Sequence, residues 1–340
     1  MNIKTIFSLS LAVLIFGGAQ LYGQSSTQQA GKQRQLTLGK IVLNASATAM
    51  GSIDHSGWND LLAEYVDESG GVDYKTWHAS QKCTQALDAY IDLLSSASLT
   101  QGATRDDQKA YWINAYNAVT VKGILQEYPT TTIRNHTSEN GGYNIWKNLL
   151  LNVGGRQVSL EGIEHQVLRK MGDPRIHFAI VCASKGCPRL LNEAYVGSTL
   201  NDQLDTNTKH FFSLAQNFQH DVQNRSFRLS AIMQWFGTDF GQNQAAQLKA
   251  ISKYLPTREA QAAANANSVG VSYLDYSWDL NIGKPKMKKE GGSMKKQGSM
   301  QKQGSMQKQG STQKQGSTQK QGSMQKQGSG VKKTGGSGSR

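Results

Sequence analysis

The chain has 340 residues, 37% of them hydrophobic, with 37 Lys and Arg against 24 Asp and Glu, a formal net charge of +13. Residues 284–340 carry fourteen of those bases and a single acid, Glu290, so the first 283 residues hold 23 charges of each sign and are neutral overall. The basicity therefore says nothing about the partners of the folded part, and no segment after residue 16 is long and apolar enough for a bilayer span, which excludes a multi-span membrane protein.

Residues 1–23 read as a secretory signal peptide. Lys4 precedes an apolar run from Ile6 to Phe16, and small and polar residues follow to Gly23. The run falls short of the roughly 20 apolar residues of a membrane span, and no cysteine follows it to take a lipid anchor. A secreted or periplasmic location is expected, with nothing left in the membrane after cleavage. Residues 24–50, rich in Gln, Ser, Thr and Ala, read as a polar leader.

Residues 51–283 are long enough for one globular domain with its own core. Apolar residues at helical spacing predict helices over 57–67, 81–95 and 106–126, the last containing Tyr111-Trp112-Ile113-Asn114-Ala115-Tyr116-Asn117. Val72-Asp73-Tyr74 reads as a short strand. Ser159 is placed to cap a helix over 160–170, with Glu161 in its first turn. Arg175–Val181 is apolar and β-branched enough to predict a buried strand, with His177 on the face opposite Ile176, Phe178 and Ile180. Helices follow over 199–215 and 243–254, and 274–281 closes the domain as a strand or extended segment. Helices outnumber strands without a βαβ rhythm, so the expected class is α+β: a mainly helical domain packed on a small sheet.

From Lys296 the unit Lys-Gln-Gly-Ser-Met/Thr-Gln repeats every six residues. Such a repeat has no apolar face to offset the entropy of ordering, so 284–340 reads as a disordered basic low-complexity tail. A flexible polycation attracts acidic polysaccharide or lipid headgroups. Nucleic acid is the weakest choice, because no aromatic residue interleaves the lysines to stack on bases.

Several patterns occur together in one order: Gly71-Val72-Asp73-Tyr74, Trp112-Ile113-Asn114-Ala115-Tyr116-Asn117, Asp173-Pro174-Arg175-Ile176-His177-Phe178-Ala179, Cys182 with Gly186-Cys187-Pro188, Trp235 with Asp239-Phe240, and Tyr276-Ser277-Trp278-Asp279. In these the chain resembles domain-of-unknown-function family 547 over nearly all of 51–283. The resemblance implies a fold and a cluster of polar residues, and no established reaction.

The densest set of reactive side chains lies in 159–188. A thiolate nucleophile needs an imidazole beside it and an acid or amide to orient that base. Cys187, His177 and Glu164 are the candidates for those roles. Asn114 and Asn117, three apart on one helix face, are candidates to polarise a carbonyl or hold the imidazole. One expectation is therefore a cysteine-dependent acyl transferase or hydrolase of the broad papain or transglutaminase type. Against it, an exported chain meets an oxidising compartment, and Cys182 and Cys187, five apart, are placed to form a disulfide. A zinc site from His165, His177, Cys182 and Cys187 fits no usual ligand spacing. Cys83, on an apolar helical stripe, reads as a buried structural thiol. No cofactor motif is present. The favoured expectation is a non-catalytic binding or interaction domain of the cell envelope, taking a small molecule or an envelope component on its polar cluster.

Overall fold

The structure, a computed structural model, describes residues 35–42, 47–137 and 144–285. The expected signal peptide and all but the first two residues of the basic tail lie outside those residues. In chain order come β1 (Leu36–Leu38), β2 (Thr48–Ala49), α1 (Ser56–Tyr65), α2 (Tyr74–Ala79), α3 (Gln81–Ser95) and β3 (Ala97–Ser98). The long α4 (Arg105–Glu127) follows, then α5 (Ile145–Asn148) and the hairpin β4 (Leu149–Val153) and β5 (Arg156–Ser159). Next are α6 (Leu160–Gly162) and α7 (Leu200–Ser213), a second hairpin of β6 (Phe218–Asp221) and β7 (Ser226–Ser230), α8 (Ala231–Phe240), α9 (Gln244–Ile251), α10 (Arg258–Ala266) and β8 (Gly270–Leu274). Helices predominate over short strands, and the fold is α+β.

The strands form small separate sheets rather than one. Sheet β1-β4-β5 pairs Leu36 with Leu149 in parallel and Leu151 with Val158 antiparallel. Sheet β6-β7-β8 pairs Leu229 with Tyr273 in parallel, and among the described residues β2 pairs with β3 alone. Part of the expected leader thus belongs to the domain, because Leu36–Leu38 supply an edge strand to β4. None of the described helices is long and apolar enough to cross a membrane.

Helix α4 begins in a capping box, Thr104 with Asp107, which satisfies two of the orphan N–H groups at its start. Asp106 and Asp107 also place negative charge at the positive end of its dipole. From Lys109 to Val121 every residue is buried, so this helix runs through the first hydrophobic cluster instead of lying on it. A second cluster is dominated by phenylalanines: Phe178, Phe211, Phe212, Phe218, Phe227 and Phe240.

The buried strand expected over 175–181 is not formed. Asp173 accepts a hydrogen bond from the Arg175 N–H as an N-cap, Pro174 occupies the first helical position, and Pro174–Phe178 winds into a 3-10 turn. Ile176 then packs in the first cluster and Phe178 in the second. His177, between them, is 3% exposed. Asp173 is held to α4 by Lys109 Nζ at 2.8 Å and to Arg175 by two contacts of 2.9 and 2.8 Å. Burial raises the carboxyl of Asp173, but Arg175 and Lys109 outweigh it and bring the group down to about 2. Val72 likewise makes only isolated bridges, to Val66 and Ile282, and 275–281 is irregular beyond β8.

After Phe178 the chain runs to Thr199 without regular structure, yet much of it is buried. Its backbone polar groups need partners that no ladder supplies. Side-chain amides provide several of them, and backbone bonds with residues 277–281 provide others around Ala183, Lys185 and Gly186. Asn117 donates to the Ala179 carbonyl at 3.0 Å and accepts from the Val181 N–H at 2.9 Å. Asn114 donates to the Tyr195 carbonyl at 2.7 Å and accepts from its N–H at 3.0 Å. Asn207, on α7, donates to the Phe178 carbonyl at 2.6 Å. Replacing Asn117 by Ala leaves a buried donor and a buried acceptor unpaired. Asn117→Ala is expected to lower the unfolding free energy by about 3 kcal/mol, read by urea denaturation. A loss below about 1 kcal/mol, the net worth of an ordinary hydrogen bond, would show that the segment does not depend on this clamp.

Candidate functional site

The site forms where the two hydrophobic clusters meet. The chain leaving α6 does not continue as an α-helix: Ile163–Leu168 is a π-helical turn and Arg169–Met171 a 3-10 turn. Such widened turns recur at functional positions, and this one carries Glu164 and His165. It faces the 3-10 turn bearing His177, the loop between Cys182 and Cys187, and side chains from α8 and the segment after β8. Together they enclose a cavity of about 160 Å3.

His177 and Asp239 form one wall. The His177 Nε2–H donates to Asp239 Oδ2 at 2.8 Å, an assignment required by the acceptor-only carboxylate. Arg169 grips the same carboxylate with both prongs, Nε to Oδ2 at 2.6 Å and Nη2 to Oδ1 at 2.7 Å. Its third contact is to His165 Nδ1 at 3.0 Å. The close ionic partner of Arg169 is thus Asp239. The imidazole of His177 stacks on Phe236 with ring centres 4.1 Å apart. Burial pushes His177 down to about 4 against the pull of Asp239, whose charge Arg169 already balances. Hydrogen bonds from Arg169 hold Asp239 below the usual carboxylate range.

Glu164 enters the same cavity, and the Tyr116 hydroxyl donates to its Oε2 at 3.4 Å. Burial raises the Glu164 carboxyl, favouring its neutral form.

Cys182 and Cys187 are joined by a disulfide, with Cα atoms 6.3 Å apart. The loop between them is pinned by the segment after β8: Lys185 N–H to the Asp279 carbonyl at 2.8 Å, and Gly186 N–H to the Ser277 carbonyl at 2.9 Å. Ala183 takes a positive φ of 54°, rare for a residue with a Cβ. Tyr276 lies flat on Gly186, where a Cβ would meet its ring at 2.8 Å, so glycine is required for that approach. The Tyr276 hydroxyl then reaches Cys187 Sγ at 3.0 Å, Cys182 Sγ at 3.1 Å and Ser184 Oγ at 2.7 Å.

Tryptophans form the mouth. Trp235 is 47% exposed, with its ring 4.8 Å from Tyr276 and 6.0 Å from Trp278. Trp146 meets Trp278 edge-on at 6.1 Å. A larger groove of about 830 Å3, lined by Asp54, Asp107, Glu193 and Asp202 among others, runs elsewhere. It lacks the aromatic walls and the sulfur pair, so the smaller cavity is the stronger site despite its size.

Of the residues singled out in the sequence, Glu164, His177, Cys182 and Cys187 share this cavity. Asn114 and Asn117 do not: both carboxamides are spent on backbone, which removes them from any catalytic role. The thiolate of Cys187 is also absent in this state, since its sulfur is bonded to Cys182. The four zinc candidates are not gathered into a ligand set, because the sulfurs bond each other, His177 Nε2 faces Asp239 and His165 Nδ1 faces Arg169. Cys83 is half-buried rather than buried, with its sulfur 4.0 Å from Glu64. Sequence reasoning gave no role to Asp239, Tyr276, Trp235 or Trp146. Asp239 and Tyr276 lie 62 and 89 residues from their partners His177 and Cys187, and no local pattern links them.

These features define an α+β domain with an aromatic cleft closed at its base by a disulfide. Residues 100–212 match the family described as "Protein of unknown function, DUF547", the family whose motifs the sequence resembles. The matched segment holds α4, Glu164, His177 and both cysteines, while Trp235, Asp239, Tyr276 and Trp278 lie beyond it. No curated protein and no solved structure matches the chain.

Two measurements follow from the geometry. Denatured, unreduced protein is expected to titrate one free thiol, Cys83; three would show that no bridge forms. His55 and His177 both sit near 4 because burial disfavours their charged forms. Folded values below the ordinary 6.5 mean that the unfolded chain takes up protons first. Their contribution is fully present above about 6.5 and is lost as pH falls toward about 4, by up to about 3 kcal/mol each. Urea unfolding at pH 7 and pH 4.5 reads this loss, and a His55→Gln/His177→Gln double variant is expected to show a shallower slope. An unchanged slope would place both imidazoles in water.

Proposed function

We infer that this domain binds a small ligand in the aromatic cleft, without using Cys187 as an acyl-accepting nucleophile. The observation that carries this reading is the placement of a half-exposed tryptophan, Trp235, beside Tyr276 and Trp278 over a cavity that contains Glu164 and His177. A large ring left in water at the mouth of a cleft is a recurrent mark of recognition. The cavity is smaller than the roughly 300–1,000 Å3 of drug-sized ligand sites, so it suits a single ring or one side-chain-sized group. Its walls offer flat apolar faces, and Glu164, whose carboxyl burial shifts toward the neutral form, offers a hydrogen-bonding group. A sugar ring, with an apolar face and hydroxyl edges, fits that combination. This is consistent with an exported chain whose ligand is a component of the cell envelope, and with a basic tail drawn to acidic polysaccharide or lipid headgroups.

The cysteine-dependent acyl-transfer reading has less support. It needs a free thiolate beside an imidazole able to take its proton, whereas the sulfur is in a disulfide and the His177 Nε2 proton is committed to Asp239.

Titration of the full chain with hexoses, N-acetylhexosamines and uronic acids, followed by tryptophan fluorescence, tests the binding reading. At least one is expected to change the emission saturably, and Trp235→Ala is expected to weaken that binding about tenfold or more, the loss of one stacking ring at about 1.4 kcal/mol. No saturable response from the wild-type chain, or equal affinity in Trp235→Ala, would overturn it.

A further inference from the structure

The two sulfurs of the disulfide are not equivalent, and the difference has the polarity of an exchange centre. Both cysteines line the cavity, Cys182 partly exposed and Cys187 9% exposed and followed by the buried Pro188. Cys187 Sγ receives the Cys182 N–H at 3.0 Å and the Tyr276 O–H at 3.0 Å. Ser184 Oγ lies 2.7 Å from the Tyr276 oxygen, so its hydroxyl can donate to Tyr276 while Tyr276 donates to sulfur. A disulfide sulfur is a weak acceptor and gains little from two donors. A thiolate gains far more, because hydrogen bonds to an ionised acceptor are about twice as strong. The Tyr276 hydroxyl, 3.1 Å from Cys182 Sγ, and Ser184 Oγ, 3.4 Å from it, can also serve Cys182, so the asymmetry rests on the Cys182 N–H, a fixed donor aimed at Cys187 that favours this sulfur as the leaving group.

We propose that the Cys182–Cys187 disulfide undergoes thiol–disulfide exchange with a small thiol or a cysteine-containing peptide admitted through the aromatic cleft. The incoming thiolate attacks Cys182 Sγ along the exposed side. A sulfur–sulfur bond forms between the incoming sulfur and Cys182 as the Cys182–Cys187 bond breaks. The electron pair stays on Cys187, whose thiolate is held by the Cys182 N–H and the Tyr276 O–H. A second thiolate, from the same dithiol or another equivalent, then attacks the substrate sulfur of the mixed disulfide and releases Cys182. The substrate is oxidised to its disulfide, and the protein pair is reduced to two thiols. Glu164 lines the same cavity. The strained Ala183 and the Gly186–Tyr276 contact hold the loop in this orientation. The step does not depend on what the tryptophans bind, so it goes beyond the sugar-binding reading and stands or falls separately.

The test uses the full mature chain, oxidised, with reduced glutathione as the probe under anaerobic conditions. Acid quench and mass spectrometry are expected to find the glutathione adduct on Cys182, with Cys187 free. Equilibration with a glutathione redox buffer measures the tendency to be reduced. Tyr276→Phe, which removes only the hydroxyl, is expected to lower the equilibrium constant for reduction about tenfold or more, and Ser184→Ala by less in the same direction. Circular dichroism and the free-thiol count of each oxidised variant establish that fold and bridge persist. If Tyr276→Phe does not fold, the site of the adduct in the wild-type chain decides alone. An adduct on Cys187, no adduct until the chain is denatured, or a Tyr276→Phe constant equal to wild type would each overturn the proposal.

Discussion

A buried stretch of chain without a hydrogen-bonding ladder is the constraint on which the rest of this structure depends. Between Phe178 and Thr199 the backbone passes through the interior with no helix or strand to satisfy it. An unpaired buried amide or carbonyl costs about 1–3 kcal/mol, so several of them would offset much of a small domain's net stability. Asn114 and Asn117 on α4 and Asn207 on α7 meet that need with carboxamides that imitate a neighbouring strand. Helix α4 can do so because it is buried along most of its length.

The site is a consequence of that arrangement. Once the amides fix Ala179, Val181 and Tyr195, the loop from Cys182 to Cys187 emerges at the boundary of the two hydrophobic clusters. The same turn that sends Ile176 to one cluster and Phe178 to the other leaves His177 at the seam. Asp239 and Arg169 then form a compact ionic unit with it, and the C-terminal segment 276–281 closes over the disulfide loop. Irregular backbone is costly in a core, and here it gathers an imidazole, a carboxyl, two sulfurs and a set of aromatic rings around one cavity.

The two readings of the cysteines weighed from the sequence differ in what they require of the neighbours. A nucleophile requires a base within reach and a free thiolate. A disulfide requires only proximity. The structure supplies the bridge, with hydroxyls of Tyr276 and Ser184 around it and the Cys182 N–H directed at Cys187 Sγ.

Long amphipathic or buried helices were legible in the sequence, because the periodicity of Trp58, Leu61, Leu62 and Tyr65, or the helical spacing of apolar residues in α4, is a local property of the chain. Also legible were the family resemblance and the concentration of Glu164, His177, Cys182 and Cys187 in one stretch. The strand expected at Arg175–Val181 failed because a cap and a proline at Asp173-Pro174 outweighed β-branched composition, a contest of two local signals that tertiary packing settled by drawing Ile176 and Phe178 to different clusters. Asn114 and Asn117 looked catalytic because spacing shows a shared helix face but not what lies opposite it. The partners that give the site its chemistry, Asp239 for His177 and Tyr276 for Cys187, come from segments far along the chain. The sequence alone determined which side chains were available. Only the folded chain decided which of them meet, since contact across 62 or 89 residues depends on how the two cores pack and not on any pattern within either segment.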